Sequence, residues 1–238
     1  MTTIRKILLL NVIGLLILFS WWQTAIPLWP WLDSHIFWGF NHTLSTEPSL
    51  WVNVLGVLNC RYFDTGTFFA LGLVLWIQVL KETHPQRYRR WAVITFIMMV
   101  SMLVIALLTH LQPYHHASPT IEYARQGFNP LSVEEIVSFD TKSESSSSFP
   151  GDHGLVMMIF AAFMLRFGSR GFGVASVILV ILLSFPRIMV GAHWFEDVYM
   201  GSLSIALILL PWLLLTPPIV TVSNMLMRVL LAGKINRH

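Results

Sequence analysis

Apolar residues run along this chain in six blocks, at about 7–27, 63–80, 91–109, 155–165, 172–186 and 198–215. Each block is bounded by charges, Pro or Gly, and none carries the polar stripe of a soluble amphipathic helix. The pattern predicts six membrane-spanning helices. The first follows Arg5-Lys6 and resembles a signal peptide, but Trp21-Trp22-Gln23 stands where a small-residue cleavage site would be. It is read as a retained span. Between the first two blocks, residues 28–60 mix Asp33, His35, Asn41 and His42 with Trp29, Trp31, Trp38 and Trp51. That mixture suits helices lying at a membrane interface.

Composition agrees. Lys+Arg 15 and Asp+Glu 12 make 27 charged residues in 238, where a soluble domain of this length carries roughly 60. With 55% hydrophobic residues, ten Trp and sixteen Phe, a soluble globular domain and a disordered chain are both excluded. The single cysteine, Cys60, excludes an intrachain disulfide and a cysteine-rich zinc site. A net charge of only +3 gives no reason to expect nucleic acid as a partner. No repeat of 20–50 residues is visible. The fold class expected is therefore all-α, a polytopic six-helix membrane bundle in one domain over 1–238, with an outer loop at about 110–153 and an inner tail at about 217–238.

The basic residues orient the bundle. With a cytoplasmic N-terminus, Arg5, Lys6, Lys81, Arg87, Arg89, Arg90, Arg166, Arg170, Arg228, Lys234 and Arg237 fall inside, which is 11 of 15. By the positive-inside rule both termini are cytoplasmic and the loop 110–153 faces outward. Its serine run, 145–148, reads as a solvated, flexible segment apart from Ser148. The fourth and fifth apolar blocks hold only 11 and 15 residues and cover ~17–23 Å of a ~30 Å hydrocarbon core. The polar segments 148–154 and 187–197 are thus expected to dip into the outer half of the bilayer, where ionisable groups are functional suspects.

Two constellations lie there. In Ser148-Phe149-Pro150-Gly151-Asp152-His153-Gly154, Pro150 and Gly151 suit a tight turn into a helix start. Backbone N–H groups at such a start can hold an anion, here a phosphate bound at Gly151 and Asp152 beside His153. Asp152 serves equally well as a simple cap. In Arg187-x5-His193-x3-Asp197, the last two residues are four apart and would share a helix face. A carboxylate on one imidazole nitrogen leaves the other as a nucleophile, and Arg187 offers planar donors for phosphate oxygens. Separately, each piece also suits a buried polar pair and a snorkelling arginine. Together at one membrane face they point to a phosphate site. Lys142, His115 and His116 are further candidate phosphate ligands in the outer loop.

These residues resemble the type 2 phosphatidic acid phosphatase superfamily, whose motifs run Lys-x6-Arg-Pro, Pro-Ser-Gly-His and Ser-Arg-x5-His-x3-Asp. The third motif matches from Arg187 through His193 and Asp197, with Pro186 in place of its Ser. Pro150-Gly151-Asp152-His153 stands for the second, and the first is degenerate, with Ser118-Pro119 where Arg-Pro would be and Leu111 where its Lys would fall. Nearly the whole chain is similar to a bacterial branch of inner-membrane lipid A phosphotransferases, through Leu10-Asn11-Val12-Ile13-Gly14-Leu15, Ala117-Ser118-Pro119-Thr120, Gly191-Ala192-His193-Trp194-Phe195 and Leu210-Pro211-Trp212.

The resemblance implies an enzyme that moves the distal phosphate of undecaprenyl diphosphate onto the 1-phosphate of Kdo-lipid A, without metal or cofactor. It implies His193 as a nucleophile forming a phosphohistidine, Asp197 as its orienting carboxylate, and His153 as acid and base. It implies phosphate binding by Arg187 and the 151–153 backbone. Two other readings stay open: a lipid phosphatase with the same site, and a non-catalytic membrane scaffold or transporter. The oligomeric state and any protein partner are not legible.

Overall fold

The computed structural model describes residues 2–23, 25, 27–216 and 225, and the expected inner tail lies outside them apart from residue 225. Among the described residues the ordered elements are helices: α1 Thr3–Trp22, α2 Leu28–Asn41, α3 Leu50–Leu58, α4 Arg61–Lys81, α5 Arg87–His110, α6 Pro119–Arg125, α7 Val133–Ile136, α8 Asp152–Phe167, α9 Arg170–Met189, a π-helical turn Asp197–Ser202, and α10 Leu203–Leu215. Five of these are long and apolar enough to cross a membrane: α1, α4, α5, α9, and the π turn with α10. The remaining apolar block is α8, whose 16 residues span about 24 Å at 1.5 Å per residue.

α8 is short because it is central. It packs against α5, α9, α10 and the π turn, and Ile159, Phe160, Phe163 and Met164 are fully buried. Its neighbours α5 and α9 instead present Leu, Val, Ile and Phe outward along their length, as lipid-facing helices do. The fifth apolar block is longer than expected. α9 has 20 residues and runs through Pro186 to Met189. A proline in the last turn forfeits one intrahelical bond without ending the helix, and Asn59 Nδ2 donates to the Pro186 carbonyl at 3.2 Å.

A second proline explains how α1 is held. Pro211 lies inside α10 and has no N–H for the Leu207 carbonyl. In an apolar surrounding that orphan must find a donor. Asn11 Nδ2 on α1 donates to the carbonyls of Leu207 and Ile208, each at 3.0 Å, while Trp212 Nε1 donates to Asn11 Oδ1 at 2.6 Å. Gly14 lets the two helices close, since a Cβ there would meet Ile208 Cγ1 at 2.9 Å.

Arg166 and Lys81 lie at the C-terminal ends of α8 and α4, and Arg87 and Arg170 at the N-terminal ends of α5 and α9. The α4 and α9 ends meet where Gln78 Oε1 accepts from the Ser169 N–H at 3.0 Å. The polar loop that follows α5 and the starts of α4 and α8 lie at the other end. The loop is less free than its composition suggests. Ser118 N donates to the Ser145 carbonyl and Ser148 N to the His116 carbonyl, both at 2.9 Å. Ser145 N donates to Ser118 Oγ at 3.0 Å. The serine run is thus pinned across the bundle mouth, and Ser148 is fully buried. Of the Trp-rich stretch, α2 packs on α1 and α9, and α3 packs on α7 and α9.

Candidate active site

The last turn of α9 carries Arg187 inward, its side chain 5% exposed. The chain then reverses at Gly191 with φ +79°. A Cβ there would lie 2.6 Å from Phe37 Cε2 and against Thr120 Oγ1. Conformation and space both demand glycine. The Arg187 carbonyl accepts from the N–H groups of Ala192, at 3.0 Å, and His193, at 3.2 Å, which closes the turn.

His193 therefore precedes the next helix, which begins at Phe195. The helix-face relation expected for His193 and Asp197 is corrected accordingly: their contact is made across a helix start. His193 Nδ1 lies 2.9 Å from the Ser148 carbonyl and 3.4 Å from Asp197 Oδ2. A carbonyl only accepts, so Nδ1 carries the proton and Nε2 keeps the lone pair in the neutral ring. The closer orienting group is thus a backbone oxygen, and the carboxylate adds to it.

Asp197 is fully buried and fully occupied. Oδ2 accepts from the Trp194 N–H at 2.8 Å, the reach-back of a third-position carboxylate to the helix cap. Oδ1 lies 2.7 Å from His116 Nε2. His116, expected among the phosphate ligands, thus turns one ring nitrogen to this carboxylate. Burial opposes charge on His116, but the hydrogen bond and charge of Asp197 hold its pKa above the ordinary value. A further first-turn N–H, that of Glu196, donates to Asp33 Oδ1 at 3.0 Å. Burial and then the Glu196 charge push the Asp33 carboxyl up to about 8. Burial likewise raises Glu196. Asp33 thus answers a free donor of this helix start, and nothing in the sequence pattern singles out Asp33 or Glu196.

At the start of α8, Gly151 is the cap. Its N–H donates to the Asp197 carbonyl at 3.1 Å, so that donor is already taken and does not face a phosphate. Its carbonyl accepts from Ser202 Oγ at 2.9 Å. A Cβ on Gly151 would meet Val198 Cγ2 at 2.7 Å, and one on Gly154 would meet Val198 Cγ1 at 2.8 Å. Small residues here let the α8 start nest against the π turn that bears Asp197. Asp152 is exposed in the first turn, and His153 follows it.

Arg187 and His153 meet on a residue that the sequence reading passed over. Arg187 Nη2 donates to both oxygens of Asp64, at 2.6 and 2.7 Å. His153 Nε2 lies 3.4 Å from Asp64 Oδ1. Arg187 Nη1 donates to the carbonyls of Asn59 and Lys142, each at 3.4 Å. An acidic residue in the first turn of an apolar span was a visible signal, masked by the ordinary preference of helix starts for carboxylates.

Two cavities share Asp64. One, about 270 Å³, is bounded by Phe63, Phe68, Leu71, Leu183, His153 and Arg187 and is mostly apolar. The other, about 360 Å³, is bounded by Arg61, Lys142, Glu134, Glu144 and Asn59 and is polar. A larger apolar groove of about 530 Å³ lies away from these groups, between α1, α8, α9 and α10. The side chain of Lys142 thus borders the site from the polar side. His115 is exposed, with Nδ1 3.0 Å from Ser147 Oγ.

Lipid A 1-diphosphate synthase of Escherichia coli (strain K12) is 38% identical to this chain over 218 residues, covering 89% of the chain and 88% of the relative. A candidate undecaprenyl-diphosphatase of the same organism, YbjG, is 28% identical over 134 residues, 56% of the chain and 59% of the relative. No family model matches the chain, and no solved structure matches it.

Proposed function

We propose that this chain, which belongs to the lipid A 1-diphosphate synthase family, transfers the distal phosphate of undecaprenyl diphosphate to the 1-phosphate of lipid A. The observation that carries the mechanism is the 2.9 Å contact from His193 Nδ1 to the Ser148 carbonyl, which leaves Nε2 as the nucleophilic nitrogen.

In the first step Nε2 attacks the terminal phosphorus. The N–P bond forms, the bond from phosphorus to the bridging oxygen breaks, and His153 gives that oxygen a proton. Undecaprenyl phosphate leaves. In the second step an oxygen of the lipid A phosphate attacks the same phosphorus. The N–P bond breaks, the electron pair returns to Nε2, and His153 recovers its proton from the acceptor. Asp197 stabilises the positive ring of His193 in both steps. Arg187 stabilises charge on the transferring oxygens, with Lys142 at the polar edge. General acid–base help of this kind contributes ~10²–10⁴-fold.

We read the bundle as six-spanning, with α8 as the short central span, and with the site facing the periplasm of an inner membrane. The grouping of 11 of 15 basic residues supports that orientation. In a Cys60→Ser background, Ser146→Cys is expected to react with an impermeant thiol reagent in spheroplasts and Ser169→Cys is not. Both positions are exposed, and the reverse pattern would overturn the topology.

The test of function uses purified protein and donor labelled in the distal phosphate. Adding lipid A is expected to divert label into a lipid A diphosphate at the expense of free phosphate. Free phosphate as the sole labelled product at saturating lipid A would establish a hydrolase instead, the reading that the likeness to YbjG favours.

A further inference from the structure

Arg187 is nine-tenths buried, and its Nη donors end on protein oxygens: two of the Asp64 carboxylate and two backbone carbonyls. A substrate phosphate needs the same donors in the same place. Carboxylate and phosphate are interchangeable to an arginine, since each offers paired oxygens at matching spacing. Asp64 is also within 3.4 Å of His153 Nε2 and stands where the apolar and polar cavities meet. Its side chain is 35% exposed, against 5% for Arg187. The carboxylate has room to move and the guanidinium has not.

We propose that Asp64 is a displaceable stand-in for phosphate: it occupies Arg187 while the site is empty and shifts fully onto His153 when a phosphate takes its place. The charge balance favours the exchange. The empty site pairs one cation with one anion. When an anionic phosphate claims Arg187, the freed carboxylate accepts from the His153 N–H and keeps that ring protonated, ready to serve the leaving oxygen. Asp64 is thus a positioning residue that couples occupancy of Arg187 to the protonation of His153. The other groups facing His153 are the cations Arg187, from α9, and Lys142, from the loop, together with the neutral His193 ring. Both cations disfavour a further positive charge, so Asp64 is the group that counters them. The proposal rests on the roles given above to Arg187 and His153.

Two readouts test it with the full-length protein. Binding of inorganic phosphate is followed by calorimetry, which requires no turnover. Asp64→Asn removes the competing charge and is expected to bind phosphate about tenfold more tightly, equivalent to ~1.4 kcal/mol. The alkaline limb of kcat is expected to move to lower pH in the same variant, because His153 loses its proton more readily, and Asp64→Glu is expected to move it back. Should Asn yield no folded protein, Asp64→Ser also drops the charge and carries the same expectations. Phosphate affinity that is unchanged or weaker, or an alkaline limb that stays in place, overturns the proposal and leaves Asp64 as a fixed structural partner of Arg187. Wild-type protein that releases no label from undecaprenyl diphosphate would overturn the functional reading itself, a result distinct from either.

Discussion

His193→Ala is expected to lower phosphoryl transfer by at least about a thousandfold and to abolish any acid-labile phosphoenzyme. Removing a covalent nucleophile takes away both steps at once, and such losses are among the largest seen for single residues. His193→Ala leaves the turn itself in place, because the backbone bonds from Ala192 and His193 to the Arg187 carbonyl do not involve the ring. Folding is therefore expected to survive, and thermal unfolding in detergent checks that. His153→Ala belongs beside it as a contrast. It keeps the nucleophile and loses the proton donor, so donors with a good leaving group should suffer less than undecaprenyl diphosphate. Quenching labelled donor with wild-type protein in alkali, then treating with acid, should release label from the protein. A His193→Ala protein that turns over near the wild-type rate would remove the phosphohistidine mechanism.

What was legible in the sequence follows a physical line. Long apolar blocks announce themselves, because a membrane admits only helices that satisfy their own backbone. Their ends were less legible where tertiary packing overrode the pattern, as in α9. Pro186 looked like a stop and is not one, since a proline in the last turn costs a single bond and the helix carries on to Met189. The spacing Arg187-x5-His193-x3-Asp197 pointed to residues that do converge, but its geometry was misjudged. The turn at Gly191 puts His193 before the helix, and a carbonyl from the distant Ser148 orients its ring. No periodicity reveals a partner 45 residues away. Asp64 and Asp33 were missed for a related reason. Each does something ordinary at the level of sequence, a carboxylate near a helix start or among tryptophans, and becomes informative only when folding sets it against Arg187 or Glu196. The serine run was misread because composition alone cannot show that Ser118 and His116 return to pin it.

Asp197→Ala is expected to cost both stability and activity. The carboxylate is fully buried and serves the Trp194 N–H, His116 Nε2 and His193 Nδ1 together. Removing one member of a buried charged set strands the others, which costs about 3–5 kcal/mol. Asp197→Asn keeps the shape and one acceptor oxygen. It is expected to recover most of the stability while turnover stays low, because a neutral amide does not stabilise the positive ring of His193. The pH dependence carries a definite sign. The pKa of His116 is raised above its ordinary 6.5 by its bond to Asp197. The folded state thus binds that proton more tightly than the unfolded chain. The stabilisation is complete below about pH 6.5 and is lost as pH rises through the raised value. The stability gap between wild type and Asp197→Ala should be widest on the acid side of that window and narrow above it. It should not close, since the bond from the Trp194 N–H to Asp197 does not titrate with His116. Unfolding in detergent at several pH values measures the gap, and a gap that widens with rising pH would show that the His116–Asp197 pair does not hold this corner of the site together.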